Sequence, residues 1–275
     1  MPEGDTIFRT ARTLQRAIGG QVVTGFRTQL PRLGRVHEDT PLTGRTVESV
    51  DSAGKWLTIR FSGDLILLTH MLMSGSWHIY RPGEKWRRKR DDMRIVIETA
   101  AIHAVGFTVP VAEFHTSESL ERRPGFRQLG QDLLAEQFDE SAAAAQLRAH
   151  PQVEIGDALL TQSLIAGVGN VFKSEICFAC EINPFRKVES LSIAQIARIV
   201  KTSRKFLLAN VTDKAGDKIV TWTGYRRTTG AMNGEESLWV YGRRRLPCRR
   251  CGTPIEARKQ GRDARVTFWC PKCQE

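Results

Sequence analysis

The sequence predicts an α+β protein of several domains, with an N-terminal helix and a β-sandwich, then a helical domain, then a β-hairpin module around four cysteines. The spacing of the apolar residues supports this order. It is typical of a helix near the start, of strands from residue 21 to about 115, and of helices again after about 135. A chain of 275 residues is also long enough for two or three separate cores. We therefore predict four segments, namely 1–120, 121–150 (a linker and the start of the helical domain), 151–235 and 236–275.

The first domain opens with a predicted amphipathic helix over residues 5–18. Its apolar side chains fall on one face, and Gly19 and Gly20 end it. Short apolar runs follow, separated by Gly, Asp and Pro at a spacing typical of a β-sandwich. We predict strands at 21–23, 47–50, 56–61, 65–68 and 94–97.

The second half has a helical pattern, entered through a polar, charge-rich stretch over residues 116–150. Helical periodicity covers four further segments, at 142–149, 154–164, 170–180 and 192–209. The last thirty residues are predicted to form a short β-hairpin built around a metal ion.

The charge balance indicates a polyanionic partner. Lys and Arg number 41 against 30 Asp and Glu, which gives a net charge of +11 and a pI near 9.7. Such a positive field makes nucleic acid the first candidate, with a generically basic protein as the alternative. No run approaches the roughly 18 apolar residues of a membrane span, and no signal peptide opens the chain. We therefore expect an intracellular protein with no membrane partner.

Four cysteines near the C-terminus have the spacing of a closed zinc site. Cys248-x2-Cys251 and Cys270-x2-Cys273 are separated by eighteen residues, and few other sites in a reducing compartment use this pattern. Four thiolates leave no open position on the metal, so we predict one structural Zn²⁺. The basic hairpin is then a nucleic-acid contact, with a solvated positive face as the alternative. Cys177 and Cys180 share one face of a predicted helix and are expected to pack in the core.

The N-terminus carries a candidate nucleophile. Removal of Met1 gives Pro2 a free secondary amine next to the Glu3 carboxylate, and such an amine can form an iminium with a sugar aldehyde carbon. Lys55 lies on a tight turn entering a strand, where a lysine can reach a phosphate. In isolation, Pro2 can reflect no more than methionine removal, and Lys55 can be a solvated turn residue.

Two further segments could contact phosphates. Gly167-Val168-Gly169-Asn170 joins two helical segments, and Asn170 suits the N-cap of the second, where exposed amides and the helix dipole attract anions. A plain helical corner explains this turn equally well. Residues 85–90 read Lys-Trp-Arg-Arg-Lys-Arg, which is either a phosphate contact or a solvated face.

Together these residues resemble the formamidopyrimidine-DNA glycosylase/endonuclease VIII family of bifunctional DNA repair enzymes. The resemblance covers nearly the whole chain through short motifs in the same order. The motifs are Pro2-Glu3-Gly4, Gly54-Lys55, residues 70–75 (His-Met-Leu-Met-Ser-Gly), Leu129-Gly130-Gln131-Asp132, Gly167–Asn170 with Glu175, residues 240–243 and the cysteine module.

The resemblance implies a two-domain clamp on DNA, with a helix-capped β-sandwich, a helix-two-turn-helix domain and a zinc finger. It implies that Pro2 attacks C1′ of the damaged nucleotide, that Glu3 acts as general acid, and that β,δ-elimination then cuts the strand. Lys55 and Arg265 join these as catalytic residues; the predicted DNA contacts are Leu72, Met73 (the wedge into the base stack), Gln128 and Asn170. The expected partner is double-stranded DNA with oxidised bases or abasic sites, bound by a monomer in the nucleoid of a bacterial-type cytoplasm.

Three departures from the family pattern shape the expected substrate. Asp5-Thr6 stands where the family often has Pro-Glu, so a second carboxylate at position 6 is absent. The gap-filling loop of the formamidopyrimidine branch is not evident, and the matching region reads Ala-Val-Gly-Phe-Thr at 104–108. The Pro-Glu-Gly start also favours the endonuclease VIII branch, and hence oxidised pyrimidines. The alternatives are an abasic-site lyase without base release and a zinc-containing DNA-binding protein without catalysis.

Overall fold

The computed structural model describes residues 2–211 and 238–275. Within these residues the chain forms two compact units, the first over 2–127 and the second over 128–211 together with 238–275. Met1 and the part of the predicted segment 151–235 from residue 212 onward lie outside the described residues. No described helix is long and apolar enough to cross a membrane.

The first unit is a β-sandwich with a helix along one side, as the sequence predicts. Helix α1 (Gly4–Ile18) precedes two four-stranded sheets with the orders β1-β6-β7-β5 and β2-β3-β4-β8. The strands are β1 (Val23–Thr28), β2 (Val47–Ala53), β3 (Trp56–Phe61), β4 (Leu65–His70), β5 (Ser76–Tyr80), β6 (Met93–Thr99), β7 (His103–Phe107) and β8 (Val111–His115). One apolar core joins α1 to side chains from both sheets.

Three strands and two short helices of this unit were not predicted from the sequence. They are β5, β7, β8, α2 (Pro31–Asp39) and α3 (Ser117–Arg122). Strand β5 buries Ser76 and His78 as well as apolar residues, so it has no apolar alternation. All residues of β8 are half-buried, which leaves no contrast between its faces. The strand predicted at 21–23 is displaced, because only an isolated bridge at Val22 precedes β1.

The second unit contains the predicted helices and hairpin. The helices are α4 (Glu140–Arg148), α5 (Ile155–Leu160), α6 (Asn170–Ala179) and α7 (Ile193–Ala209). Strand β9 (Gln131–Asp132) pairs with β10 (Ile165–Ala166), and β11 (Glu256–Gln260) pairs with β12 (Arg265–Trp269). The prediction of a helix to residue 164 is wrong, because α5 ends at Leu160. There the Gln162 amide donates to the Leu160 and Val168 carbonyls and closes a turn instead.

Candidate functional site

The N-terminus and the Lys55 turn lie at the same end of the first unit. Val50 N donates to Gln15 Oε1 (2.6 Å) and Gly20 N donates to the Val47 carbonyl (2.8 Å), so α1 and β2 run antiparallel. From these contacts, α1 extends back to its N-cap over about 18 Å. Strand β2 extends forward to the following turn over about 17 Å. Both elements therefore end together, with residues 2–3 and 54–55 at their tips.

Pro2 and Glu3 are buried where α1 begins. Glu3 is the N-cap in extended conformation, and its carbonyl accepts from Thr6 N (2.9 Å) and Ile7 N (3.1 Å). Its side chain is fully excluded from solvent. The first turn of α1 thus fixes Pro2 and Glu3 relative to the sandwich.

The residues that replace the family's Pro-Glu are also buried. The Thr6 hydroxyl donates to Asp5 Oδ1 (3.3 Å), and Asp5 Oδ2 lies 3.9 Å from Arg9 Nη2. Asp5 is fully buried and Thr6 is nearly so. The buried carboxylate next to Glu3 is therefore that of Asp5, and position 6 supplies only a hydroxyl.

Lys55 lies beside His70, the first residue of the motif at 70–75, for which the sequence predicted no separate role. Gly54 has a φ of 57°, a left-handed conformation that suits glycine, and it turns the chain from β2 into β3. Trp56 pairs with His70 across β3 and β4, and the rings meet edge to face at 4.7 Å. Burial, with added repulsion from Lys55 and Arg123, lowers the pKa of His70 to about 4. His70 is therefore neutral at physiological pH.

Residues 71–75, called the wedge loop because the family resemblance places the wedge there, expose two apolar side chains at this end. Met71 is fully buried, whereas Leu72 is 47% and Met73 55% exposed. Gly75 N donates to the Met71 carbonyl (2.8 Å), and Leu72 N donates to His70 Nδ1 (3.1 Å). A Cβ on Gly75 would lie 2.8 Å from the Met71 backbone, so the tight closure requires glycine. The loop is anchored at both ends and presents Leu72 and Met73 outward.

In the second unit, α6 holds strand β12. Asn170 Nδ2 donates to the Val266 carbonyl (2.9 Å), Lys173 Nζ to Thr267 Oγ1 (2.6 Å), and Phe268 N to Ser174 Oγ (3.3 Å). The three α6 residues share one helix face, since they are spaced i, i+3 and i+4. This face places the exposed Arg265, at the start of β12, next to the N-terminus of α6.

The prediction that Asn170 caps α6 is wrong. Gly169 is the N-cap and no side chain caps the helix, because Asn170 is already in the first turn. The Asn170 amide is nevertheless buried. One of its N–H groups donates to the Val266 carbonyl, and its Oδ1 accepts no hydrogen bond from any described residue. Its second amide hydrogen makes no hydrogen bond to any described residue, and the carbonyl that the side chain contacts is that of the residue after Arg265. Asn170 and Arg265 are therefore brought together, as neighbours across the α6–β12 contact.

The Leu-Gly-Gln-Asp motif supports the turn before α6. Gly130 N donates to the Gln162 carbonyl, and a Cβ on Gly130 would lie 2.6 Å from the Leu164 carbonyl group. This approach lets β9 (Gln131–Asp132) pair in parallel with β10 (Ile165–Ala166). Gln128 is exposed just before the motif, on the rim of a polar cavity of about 430 Å³. Among the described residues, no hydrogen bond joins Gln128 to Asn170.

The four cysteines near the C-terminus form a site of the size that zinc requires. Their sulfur atoms all lie within 4.8 Å of one another, with Cys248 and Cys273 4.0 Å apart and Cys251 and Cys270 3.5 Å apart. A tetrahedral site with Zn–S bonds of about 2.3 Å has sulfur atoms about 3.8 Å apart. The cysteines are therefore positioned to bind one zinc ion. Cys270 directly continues β12.

Glu175 holds the segment that enters the cysteine module. Its fully buried carboxylate accepts from the backbone N–H groups of Trp239 (2.8 Å), Val240 (2.9 Å) and Tyr241 (2.9 Å). Three N–H donors satisfy a buried carboxylate that would otherwise be costly. Glu175 precedes Val240 by 65 residues, so no local sequence pattern predicts this contact.

The other cysteine pair packs in the core, as predicted. Cys177 is fully buried in α6 and Cys180 is nearly so at its C-terminus. Burial raises the pKa of Cys177 to about 12 and also raises the pKa of Cys180. Both therefore remain thiols at neutral pH, which fits packing and not thiolate chemistry.

The region matched to the gap-filling loop is mostly strand. Residues 104–107 belong to β7, and Ala104, Val105 and Phe107 are fully buried there. Only residues 108–110 connect β7 to β8. The departure from the formamidopyrimidine pattern is therefore a short connection with no extended loop.

Comparison with known proteins places the chain in a family. Three family models match in order: the formamidopyrimidine-DNA glycosylase N-terminal domain at residues 1–110, its H2TH domain at 129–221, and the zinc finger found in FPG and IleRS at 245–275. A probable endonuclease 8 2 of Streptomyces coelicolor is 40% identical, over 100% of this chain and 94% of that protein. The DNA-(apurinic or apyrimidinic site) lyase Nei2 of Mycolicibacterium smegmatis is 37% identical, over 100% and 99%.

The fold is that of solved members of the same family. The Lactococcus lactis Fpg in complex with DNA containing an abasic site has a TM-score of 0.82 at 22% identity, with both chains covered completely. The zinc-finger match coincides with the four clustered cysteines, so sequence and geometry agree on one zinc site. On these matches, which span the chain from end to end, the protein belongs to the formamidopyrimidine-DNA glycosylase/endonuclease VIII family.

Proposed function

We propose that the protein is a bifunctional DNA glycosylase and abasic-site lyase of base excision repair, with Pro2 as its nucleophile once Met1 is removed. One observation carries the assignment of the residues. Pro2 and Glu3 are buried and fixed by α1 at the same end of the first unit as Lys55 and the exposed wedge loop. A nucleophile, an acid, a cation and an apolar wedge are the groups that excision of a stacked base needs.

The covalent step uses the secondary amine. The Pro2 nitrogen forms a bond to C1′ as the bond between C1′ and the damaged base breaks, and the base leaves with the electron pair and takes up a proton. Glu3 donates a proton to the ring oxygen as the sugar opens, which leaves an iminium between Pro2 and C1′. Loss of a C2′ proton then expels the 3′ phosphate, and a second elimination expels the 5′ phosphate. An α-amino group titrates near 8, so its neutral form is present at physiological pH.

The remaining residues hold the extruded nucleotide. Lys55 in the first unit and Asn170 and Arg265 in the second supply donors for phosphate oxygens, with Arg265 able to make two parallel bonds. Leu72 and Met73 fill the gap left in the stack, and this offsets part of the few kcal/mol that flipping costs. Gln128 is assigned to DNA binding as an exposed residue at the start of the second unit.

Zinc has a structural part in this proposal. Cys248, Cys251, Cys270 and Cys273 would hold it through four thiolates, which leaves no open coordination position. Coordination of one ion by these cysteines would tie the two Cys-x2-Cys segments to each other and so fix the end of β12. The hydrogen bonds from α6 fix the rest of β12.

Oxidised pyrimidines and abasic sites in double-stranded DNA are the proposed substrates. The endonuclease 8 names of the relatives and the short β7–β8 connection support the pyrimidine preference. A monomer in the bacterial cytoplasm, associated with the nucleoid, is the proposed working form. The segment boundaries at 120, 150 and 235 remain predictions.

Borohydride trapping on an abasic-site duplex tests the nucleophile. The expected result is a covalent adduct whose mass maps to an N-terminal Pro2, and its loss in Pro2→Gly with DNA affinity retained. Lys55→Gln is the matched control, because it removes the nearby amine that could also form an imine. An adduct mapped to Lys55, or full trapping by Pro2→Gly, would refute the assignment.

A second candidate is abasic-site lyase activity without base release, which Thr6 favours because it offers no second carboxylate at that position. Duplexes that contain thymine glycol, dihydrouracil or 8-oxoguanine distinguish the two. Release of either oxidised pyrimidine supports the glycosylase. Cleavage of abasic DNA alone supports the lyase.

A further inference from the structure

The sheet β2-β3-β4-β8 carries a small apolar cluster on the face opposite the main core. Its members are Ile66, Leu68, Leu120, Trp56 and Phe126. The main core takes the alternate residues of β4, Leu65 and Leu67, so the cluster lies on the other face. Helix α3 and the residues after it cover this face. Trp56 pairs with His70 across β3 and β4, which places both side chains on the covered face, and the wedge loop begins directly after His70.

Arg123, the first residue after α3, lies over the Trp56 ring, with its guanidinium carbon 4.1 Å from the ring centroid. Its Nε donates to Glu113 Oε2 (2.6 Å) and its Nη2 donates to Glu113 Oε1 (3.1 Å), which makes a bidentate pair. Its Nη1 donates to the Pro124 carbonyl (2.9 Å). Only 17% of the side chain is exposed. The guanidinium is therefore fixed by three hydrogen bonds and by the aromatic face below it.

The series of contacts continues from Trp56 to the wedge loop. The Trp56 and His70 rings meet edge to face at 4.7 Å, with 77° between their planes. His70 Nδ1 accepts a hydrogen bond from Leu72 N (3.1 Å). An imidazole nitrogen that accepts carries no proton, so this bond requires the neutral form of His70. Arg123, Trp56, His70 and Leu72 thus touch in series, from the cover of the sheet to the wedge loop.

The charge of Arg123 favours the same hydrogen bond. Burial lowers the pKa of His70 to about 4, with added repulsion from Lys55 and Arg123. Both cations disfavour a charged imidazole, because like charges repel. Nδ1 of His70 therefore remains an acceptor for Leu72 at neutral pH.

The backbone of Leu72 needs such support. Its φ of 43° is a left-handed conformation that residues with a side chain rarely adopt. A residue in such a conformation persists only where its surroundings fix it. The hydrogen bond to His70 fixes Leu72 from one side, and the bond from Gly75 N to the Met71 carbonyl closes the loop on the other. The orientation of the His70 ring therefore controls the direction in which the wedge loop points.

We propose that Arg123 is a positioning residue for the wedge. Stacked on Trp56 and paired with Glu113, it fixes the His70 ring and so the left-handed backbone that directs Leu72 outward. Arg123 acts through the loop and not on the reacting atoms. The inference rests on the proposed function, because it is there that the wedge loop enters the base stack.

Cleavage of abasic DNA tests this role. Arg123→Met removes the guanidinium and keeps an apolar stem over Trp56, and it should cut an abasic-site duplex about fivefold more slowly than the wild type. A single-stranded abasic oligonucleotide has no partner base to displace, so its cleavage should stay within about twofold of the wild-type rate. The matched control is Arg122→Met, because Arg122 is 75% exposed and forms a surface ion pair with Glu118. This control should leave both rates unchanged.

A double variant separates positioning from general destabilisation. In a Leu72→Gly background, Arg123→Met should slow duplex cleavage by less than about twofold further, because both changes act through the same side chain. The same loss of about fivefold in both backgrounds would overturn the proposal. If urea denaturation shows that Arg123→Met does not fold, Glu113→Gln replaces it, since it weakens the pairing and keeps the guanidinium. It should slow duplex cleavage alone, by about twofold, and an unchanged duplex rate would overturn the proposal.

The NMR signal of the Leu72 amide reports on the series of contacts without catalysis. It should move in Arg123→Met and stay in place in Arg122→Met, because the hydrogen bond to His70 changes in the first variant only. An unmoved Leu72 signal in Arg123→Met, or a moved signal with an unchanged duplex rate, would overturn the proposal. Failure of the wild type to cut abasic DNA would instead refute the proposed function, and the Leu72 signal would still decide whether Arg123 positions the loop.

Discussion

Lys173 Nζ lies 2.6 Å from Thr267 Oγ1, and both side chains are fully buried. The Thr267 hydroxyl donates in turn to Gln260 Oε1 (2.7 Å), and Gln260 Nε2 donates to Glu154 Oε2 (2.8 Å). A chain of hydrogen bonds therefore joins α6, both strands of the hairpin and the residue before α5. Because this chain holds β12, it fixes the strand that begins with Arg265.

Thr267→Val should destabilise the protein by about 2 kcal/mol, because it removes one hydrogen bond of the buried Lys173 side chain with little change in side-chain volume. Thr267→Ser keeps the hydroxyl and should cost less than about 1 kcal/mol. Urea denaturation measures both. DNA affinity should fall in the valine variant only, through displacement of Arg265. Equal stability of the two variants would show that the hydrogen bond contributes nothing.

Leu72→Gly should slow base excision without lowering the stability of the protein. Leu72 has a φ of 43°, which glycine adopts without strain, so stability should stay within about 1 kcal/mol. Removal of the exposed side chain should slow excision from a duplex by about tenfold, as less of the flipping cost is offset. A single-stranded abasic oligonucleotide serves as the control, since it has no partner base to displace. A matching loss on both substrates would argue against a wedge.

Zinc content should be one ion per chain, and Cys270→Ser should lose it. The variant should bind DNA at least about tenfold more weakly, because the C-terminal end of β12 loses its anchor in the metal site and only the pairing with β11 and the contacts with α6 remain. Cys177→Ser is the control, as it changes a buried cysteine outside the zinc site and should keep the metal. Atomic absorption and DNA titration measure the two effects. Unchanged DNA affinity in zinc-free Cys270→Ser would refute a required zinc finger.

Stability should fall as the pH drops from about 6.5 to about 4. Burial lowers the pKa of His70 from 6.5 to about 4, with added repulsion from Lys55 and Arg123. Burial likewise lowers the pKa of His78 from 6.5 to about 4, with added repulsion from Arg88 and Arg87. In that window the unfolded chain binds protons that the folded chain does not, so the stabilisation present above pH 6.5 is progressively lost.

Urea denaturation at pH 7, 5.5 and 4.5 measures this loss, and NMR titration gives the two pKa values directly. The double variant His70→Gln, His78→Gln should show a shallower decline in the free energy of unfolding than the wild type. A parallel decline in both proteins would mean that other groups control the acid response.

Long, strongly periodic elements were predicted from the sequence, and elements with mixed burial were missed. Strand β3 matches its predicted bounds because Leu57, Ile59 and Phe61 alternate on the core face. Strand β5 was missed because its buried Ser76 and His78 bond to each other at 3.0 Å inside the sheet. Hydropathy counts such residues as exposed, although a hydrogen bond makes their burial tolerable.

The sequence by itself determined the zinc ligands, the basic character of the protein and the candidate nucleophile, because each depends on residue type and short spacing. Only the tertiary structure decided which residues meet. Lys55 lies beside His70, Asn170 bonds to the strand of Arg265 instead of capping α6, and Lys173 is a buried donor and not a solvated cation. These relations join residues far apart in the chain, and the packing of α6 against β12 and of β3 against β4 creates them.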